Sequence, residues 1–110
     1  MSDSTGYYIY VLNLSDPELE KPEAWTEEQS QTGGAHFSYL KDLTEKGVVI
    51  IAGRNLNSDE RSFGIVVYRA GSYDEAKSIM DNDPAVKHGL MTAKLHEFSL
   101  ALLNTNAVKE

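Results

Sequence analysis

"GAHFSYLKDLTEKGVVIIAG", residues 34–53, changes its period in the middle, and that change decides the fold. Up to Lys46 the apolar positions recur at helical spacing, with Leu40 and Leu43 on one stripe. Gly47 stands where a left-handed glycine would end the helix, and "VVIIAG" then reads as a strand. Counting back four residues from Leu40 puts His36 on the same stripe, where an apolar side chain is expected. Such a histidine is either a core residue with a hydrogen-bond partner or an imidazole aimed at a cavity under the helix.

Outward from this stretch, "YYIYVLNL" at residues 7–14 is aromatic and β-branched, which predicts a strand closed by Asp16-Pro17. Thr26 and Gln29 form a capping-box pattern, so a helical turn begins there. Gly33-Gly34 is expected to weaken or interrupt it before the main helix, Ala35 to Lys46. After the second strand, 48–53, a polar turn at 54–61 leads back through "SFGIVVYRA", 62–70, as a hairpin. Ser72 and Glu75 open a second helix, "YDEAKSIMDND". Asp83-Pro84 ends it, with Asp83 placed to cap a further short helix. "MTAKLHEFSLAL", 91–102, reads as the last strand, and the tail 104–110 is expected to fray.

The order β-α-β-β-α-β predicts an α+β, ferredoxin-like fold: a four-stranded antiparallel sheet with two helices on one face. The whole chain, 1–110, is expected to be a single domain with an ordered core at about 7–100. The first three strands are apolar at nearly every position, so both sheet faces need cover, and two helices cover only one. Sheet-to-sheet pairing with a second copy would bury the other face. The expected assembly is a homodimer.

Composition removes several functions. With a formal net charge of −7 and no basic stripe, a phosphate backbone would be repelled, so nucleic acid is not an expected partner. No apolar run approaches the ~18 residues of a membrane span. Cysteine is absent, which excludes disulfides and thiolate chemistry and suits a reducing compartment. The opening "MSDSTG" lacks the features of a signal peptide, and a cytoplasmic location is expected. Ser38 and Lys41 spell an S-x-x-K motif without its partner motifs. His36, His88 and His96 have no ligand spacing, and no phosphate-cradling glycine loop is present, so neither a metal nor a cofactor is expected.

What remains is His36 and Asp83. In this topology both helices lie on one sheet face, so the two residues can converge in the cleft beneath them. Asp83 would serve as a helix cap in either case, since a carboxylate has four acceptor sites.

These residues also carry a family resemblance. "HFSYL", "GVVIIAG" and "DEAKSIMDNDPAVKHG", in this order, resemble a YCII-related (YciI-like) protein over roughly residues 7–100. The resemblance implies a dimeric α+β barrel and an active-site pair at His36 and Asp83. The chain departs from the family pattern at Arg54, where Pro often follows the glycine, and at Ala85, where an aromatic is common. The cleft is therefore expected to be roomier and more cationic. Arg54 is then a candidate clamp for a carboxylate ligand. Ser62, across the hairpin, fits a hydroxyl often present in the family and is a candidate ligand donor. The leading function is a small-molecule enzyme of lyase, isomerase or dehydrohalogenase type, using His36 and Asp83 as a general acid/base pair. A non-catalytic ligand-binding or accessory homodimer is one alternative, and a cofactor-independent monooxygenase is another.

Overall fold

The computed structural model describes residues 6–104, so the tail expected to fray lies outside the described residues beyond Asn104. The elements follow the predicted order. They are β1 (Gly6–Leu14), α1 (Glu27–Glu45), β2 (Val49–Arg54), β3 (Gly64–Ala70), α2 (Tyr73–Asp81), α3 (Pro84–Lys87) and β4 (Met91–Phe98). Two short 3-10 turns, Pro17–Glu20 and Pro22–Ala24, fill the connection from β1 to α1. The four strands form one antiparallel sheet in the order β2-β3-β1-β4, the ferredoxin-like arrangement. No helix among the described residues is long and apolar enough to cross a membrane.

Register fixes which side chains face the helices. Tyr8, Tyr10 and Leu12 alternate along β1 and are buried, and they pair with Tyr68, Val66 and Gly64 of β3. The Tyr10 and Tyr68 rings meet edge to face at 5.4 Å, an arrangement worth roughly 1 kcal/mol beyond the area it buries. The opposite face carries Tyr7, Ile9 and Val11 of β1, with Ile65 and Val67 of β3 paired beside the last two. Among the described residues no helix covers that face.

Three expectations about boundaries are corrected. The first helix starts at Glu27 and runs through Gly33-Gly34 without a break. Both halves of the Thr26–Gln29 capping box form, and Gly33 lets the Trp25 ring lie directly against the helix: a Cβ there would sit 2.9 Å from Trp25 Cζ3. Gly33 is a packing site, so its weak helix propensity is overridden. The last strand stops at Phe98, where its pairing with β1 ends at Tyr7, and does not reach residue 102. The third strand begins at Gly64, because Ser62 and Phe63 are still in the turn. Gly47 does take the left-handed conformation, with φ of 81°, and Val48 N–H closes the helix end on the Leu43 carbonyl at 2.9 Å.

Candidate active site

α1 is 19 residues long yet buries none of them completely. Its inner side walls a cleft of about 820 Å³, with the sheet as floor and the β2–β3 hairpin and the first 3-10 turn at its sides. That volume lies within the usual range of small-molecule sites. The lining is mostly apolar, with Leu12 and Val66 on the floor and Leu19, Trp25, Phe37, Leu40 and Phe63 on the walls.

His36 lies on the cleft wall with 16% of its side chain exposed, and Asp83 lies behind it, fully buried. The imidazole Nδ1 is 2.6 Å from Asp83 Oδ1. That oxygen also accepts the Ala85 N–H at 3.0 Å, and Oδ2 accepts the Tyr10 hydroxyl at 2.7 Å. All three partners are donors to the carboxylate, so an ionised Asp83 requires the hydrogen on Nδ1, and His36 Nε2 makes no hydrogen bond among the described residues. Asp83 thus caps α3 and holds the imidazole at once, as its acceptor count allows.

The surrounding phenols stay protonated. Burial, followed by the charge of Asp83, pushes Tyr10 far above the ordinary phenol value, so it remains a donor. Tyr39, one turn along from His36, is pushed up to about 12 by the same two causes, and its hydroxyl donates to the Ile79 carbonyl at 2.7 Å. These bonds tie α1 to the α2–α3 side of the sheet at a fixed distance.

Arg54 and Ser62 both line the cleft. Arg54 reaches it through a β-bulge. Val49 pairs with Tyr68 on the helix side, and strict alternation would send Ile51 and Gly53 there and Arg54 to the open face. The register shifts between Val49 and Ile51, so Ala52 pairs with Val66 and Arg54 with Gly64, both on the helix side. Arg54 Nε donates to the Asn55 carbonyl at 3.0 Å, and among the described residues the guanidinium makes no ion pair. Ser62 is already engaged, because its hydroxyl donates to the Glu20 carboxylate.

Two residues of the site escaped the sequence reading. Tyr10 left a signal, a phenol in the middle of a buried stripe, which needs a hydroxyl partner. Glu20 left none, since a lone glutamate in a polar loop is ordinary. Among the described residues no cluster of three or more metal-ligating side chains is present.

A ferredoxin-like sheet with a hydrogen-bonded His–Asp pair beside an apolar cleft defines the class: a small α+β protein. A family model described as the YCII-related domain matches residues 10–98, and the chain belongs to that family. No curated protein matches it. Among solved structures it is similar to the 5-chloro-2-hydroxyhydroquinone dehydrochlorinase TftG of Burkholderia phenoliruptrix AC1100, in complex with 2,5-dihydroxybenzoquinone. The identity is 20%, the TM-score 0.60, and the alignment covers 84% of this chain and 93% of the other, a likeness of fold.

Proposed function

We propose that this protein is a small-molecule enzyme in which His36 moves a proton on a bound substrate and Asp83 positions it. The observation that carries the reading is the 2.6 Å bond from Nδ1 to a fully buried carboxylate, on an imidazole that lines an apolar cleft. Nε2 accepts a proton from substrate carbon or hydroxyl, and the Asp83 carboxylate stabilises the imidazolium that forms. In an isomerisation the imidazolium returns that proton to another substrate atom. In a dehydrohalogenation the electron pair of the broken C–H bond forms a double bond as halide departs. The named activity of the structural neighbour belongs to the second type. Arg54, which lines the same cleft, is suited to a substrate carboxylate or another anionic oxygen.

A second copy of the chain belongs to this proposal, since Tyr7, Ile9, Val11 and Ile65 form an apolar face that stays partly exposed around the buried Val67. Ile9→Glu would place a charge on that face and dissociate or unfold the dimer. Light scattering that reads a monomer for the wild type at micromolar concentration would remove the dimer.

The test of chemistry is turnover of small organic acids, phenols and their halogenated analogues. His36→Ala is expected to lower kcat/KM on the order of 10²–10⁴-fold. Asp83→Asn is expected to lose nearly as much, because the two groups act as one unit. The 2.6 Å bond is expected to give a downfield Nδ1 proton resonance that Asp83→Asn removes. Turnover that survives His36→Ala would end the acid–base reading and leave a ligand-binding protein.

A further inference from the structure

The apolar cleft contains a carboxylate that neither the His36–Asp83 pair nor the capping of α3 uses. Glu20 ends the first 3-10 turn, is partly buried, and lines the same cleft as His36. A carboxylate beside apolar walls is costly unless its oxygens are bonded. One of them is: Ser62 donates its hydroxyl to Oε2, and the Ser62 carbonyl is itself held by Asn13 Nδ2 at 3.1 Å. Among the described residues Oε1 has no hydrogen bond and Glu20 makes no ion pair. The hairpin therefore fixes one oxygen of the carboxylate and leaves the other as an acceptor for whatever enters.

The neighbouring groups restrict the rest of that ligand. Trp25 hydrogen-bonds the carbonyl of Leu19, the residue before Glu20, and lines the cleft beside it. Phe37 and Phe63 line it from α1 and from the hairpin, although they are 67% and 44% exposed. Aromatic walls favour a flat occupant that can stack on them. Arg54 pairs with Gly64, two residues after Ser62, and makes no ion pair with Glu20, so cation and anchored carboxylate stand apart along the hairpin side of the cleft. An anionic group on the ligand is drawn to Arg54 and repelled by Glu20, which orients it.

We propose that Glu20, anchored by Ser62, recognises a hydroxyl on a flat aromatic ligand whose anionic oxygen lies toward Arg54. This rests on reading the cleft as a ligand site, and it assigns Ser62 to positioning Glu20 instead of touching the ligand. A hydroxyl donor meets a charged acceptor there, and an analogue without the donor leaves a carboxylate oxygen desolvated and unpaired.

Trp25 is the only tryptophan of the chain, so its fluorescence reports binding without any turnover. Three probes separate the contributions: para-hydroxybenzoate has anion, ring and donor, para-methoxybenzoate lacks the donor, and benzoate lacks the substituent altogether. The wild type is expected to bind para-hydroxybenzoate about tenfold or more tightly than either analogue. Glu20→Gln keeps an oxygen for the Ser62 hydroxyl but turns an amide donor to the cleft, so the preference should fall to about threefold or less. Ser62→Ala should weaken the preference without reversing it. The proposal is overturned if the wild type binds the three alike, if none binds, or if Glu20→Gln keeps the full preference. A protein that reads the hydroxyl and turns nothing over would defeat the acid–base function alone, and turnover without the preference would defeat this assignment alone.

Discussion

The two long helices lie on the same face of the sheet and meet it differently. α2, nine residues long, buries Ala76 and Met80, and its Ala76 carbonyl accepts the Tyr68 hydroxyl at 2.6 Å. α1 is twice that length and buries no residue fully, with Leu40 and Leu43 only partly covered against the core. α2 is held mainly by apolar contact with the floor. α1 is held at its margins, by His36 on Asp83, Tyr39 on the Ile79 carbonyl and Trp25 against Gly33. Directional bonds of fixed length can keep a helix at a distance from a sheet, whereas apolar contact draws it in until the gap closes. The cleft under α1 is the consequence.

A helix with little burial must be sustained locally. α1 has a complete capping box, a glycine-terminated end, and ion pairs four residues apart at Lys41–Glu45 and Asp42–Lys46. The exposed pairs contribute little each, and the cap about 1 kcal/mol.

The sharpest way to break this contrast is to truncate one apolar side chain in each half. Met80→Ala should cost about 2–4 kcal/mol, because a buried side chain is lost from a packed layer. Leu40→Ala should cost roughly 1 kcal/mol, since it faces a space that is already open. Urea unfolding of both variants decides the matter, and equal losses would mean that α1 is packed as tightly as α2.

A smaller effect sharpens the picture of how α1 is held. Gly34→Ala meets nothing within 4 Å and should stabilise the protein by about 0.5–1 kcal/mol through helix propensity. Gly33→Ala, its neighbour, drives a methyl into the Trp25 ring at 2.9 Å and should cancel or reverse that gain. Thermal melts of the two variants should therefore move in different directions. A common rise would show that Trp25 does not hold the helix.

Much of this was legible in the chain, and the reasons are local. The period change at Gly47 identified a helix followed by a strand, and the alternation of Tyr8, Tyr10 and Leu12 selected the buried face of β1. Asp83 before Pro84 marked a cap whatever else it did. His36 stood out because an imidazole occupied a position in an apolar stripe, and the topology alone brought it near Asp83. The helix through Gly33-Gly34 was misjudged because propensity was visible and the Trp25 contact was not.

What the sequence determined, then, is the element order and the identity of the buried stripes, since each follows from spacing along one segment, while the candidate pair came from the predicted topology and the family resemblance. Tertiary structure alone decided the rest. A one-residue bulge in β2, invisible in "VVIIAG", turned Arg54 from the open face to the cleft, because strand parity depends on pairing with a neighbour. Tyr10 became a donor to Asp83 across 73 residues of chain, and Ser62 became the anchor of Glu20 across 42. Such contacts join segments whose separation carries no period, so only the folded backbone brings their polar atoms within bonding distance.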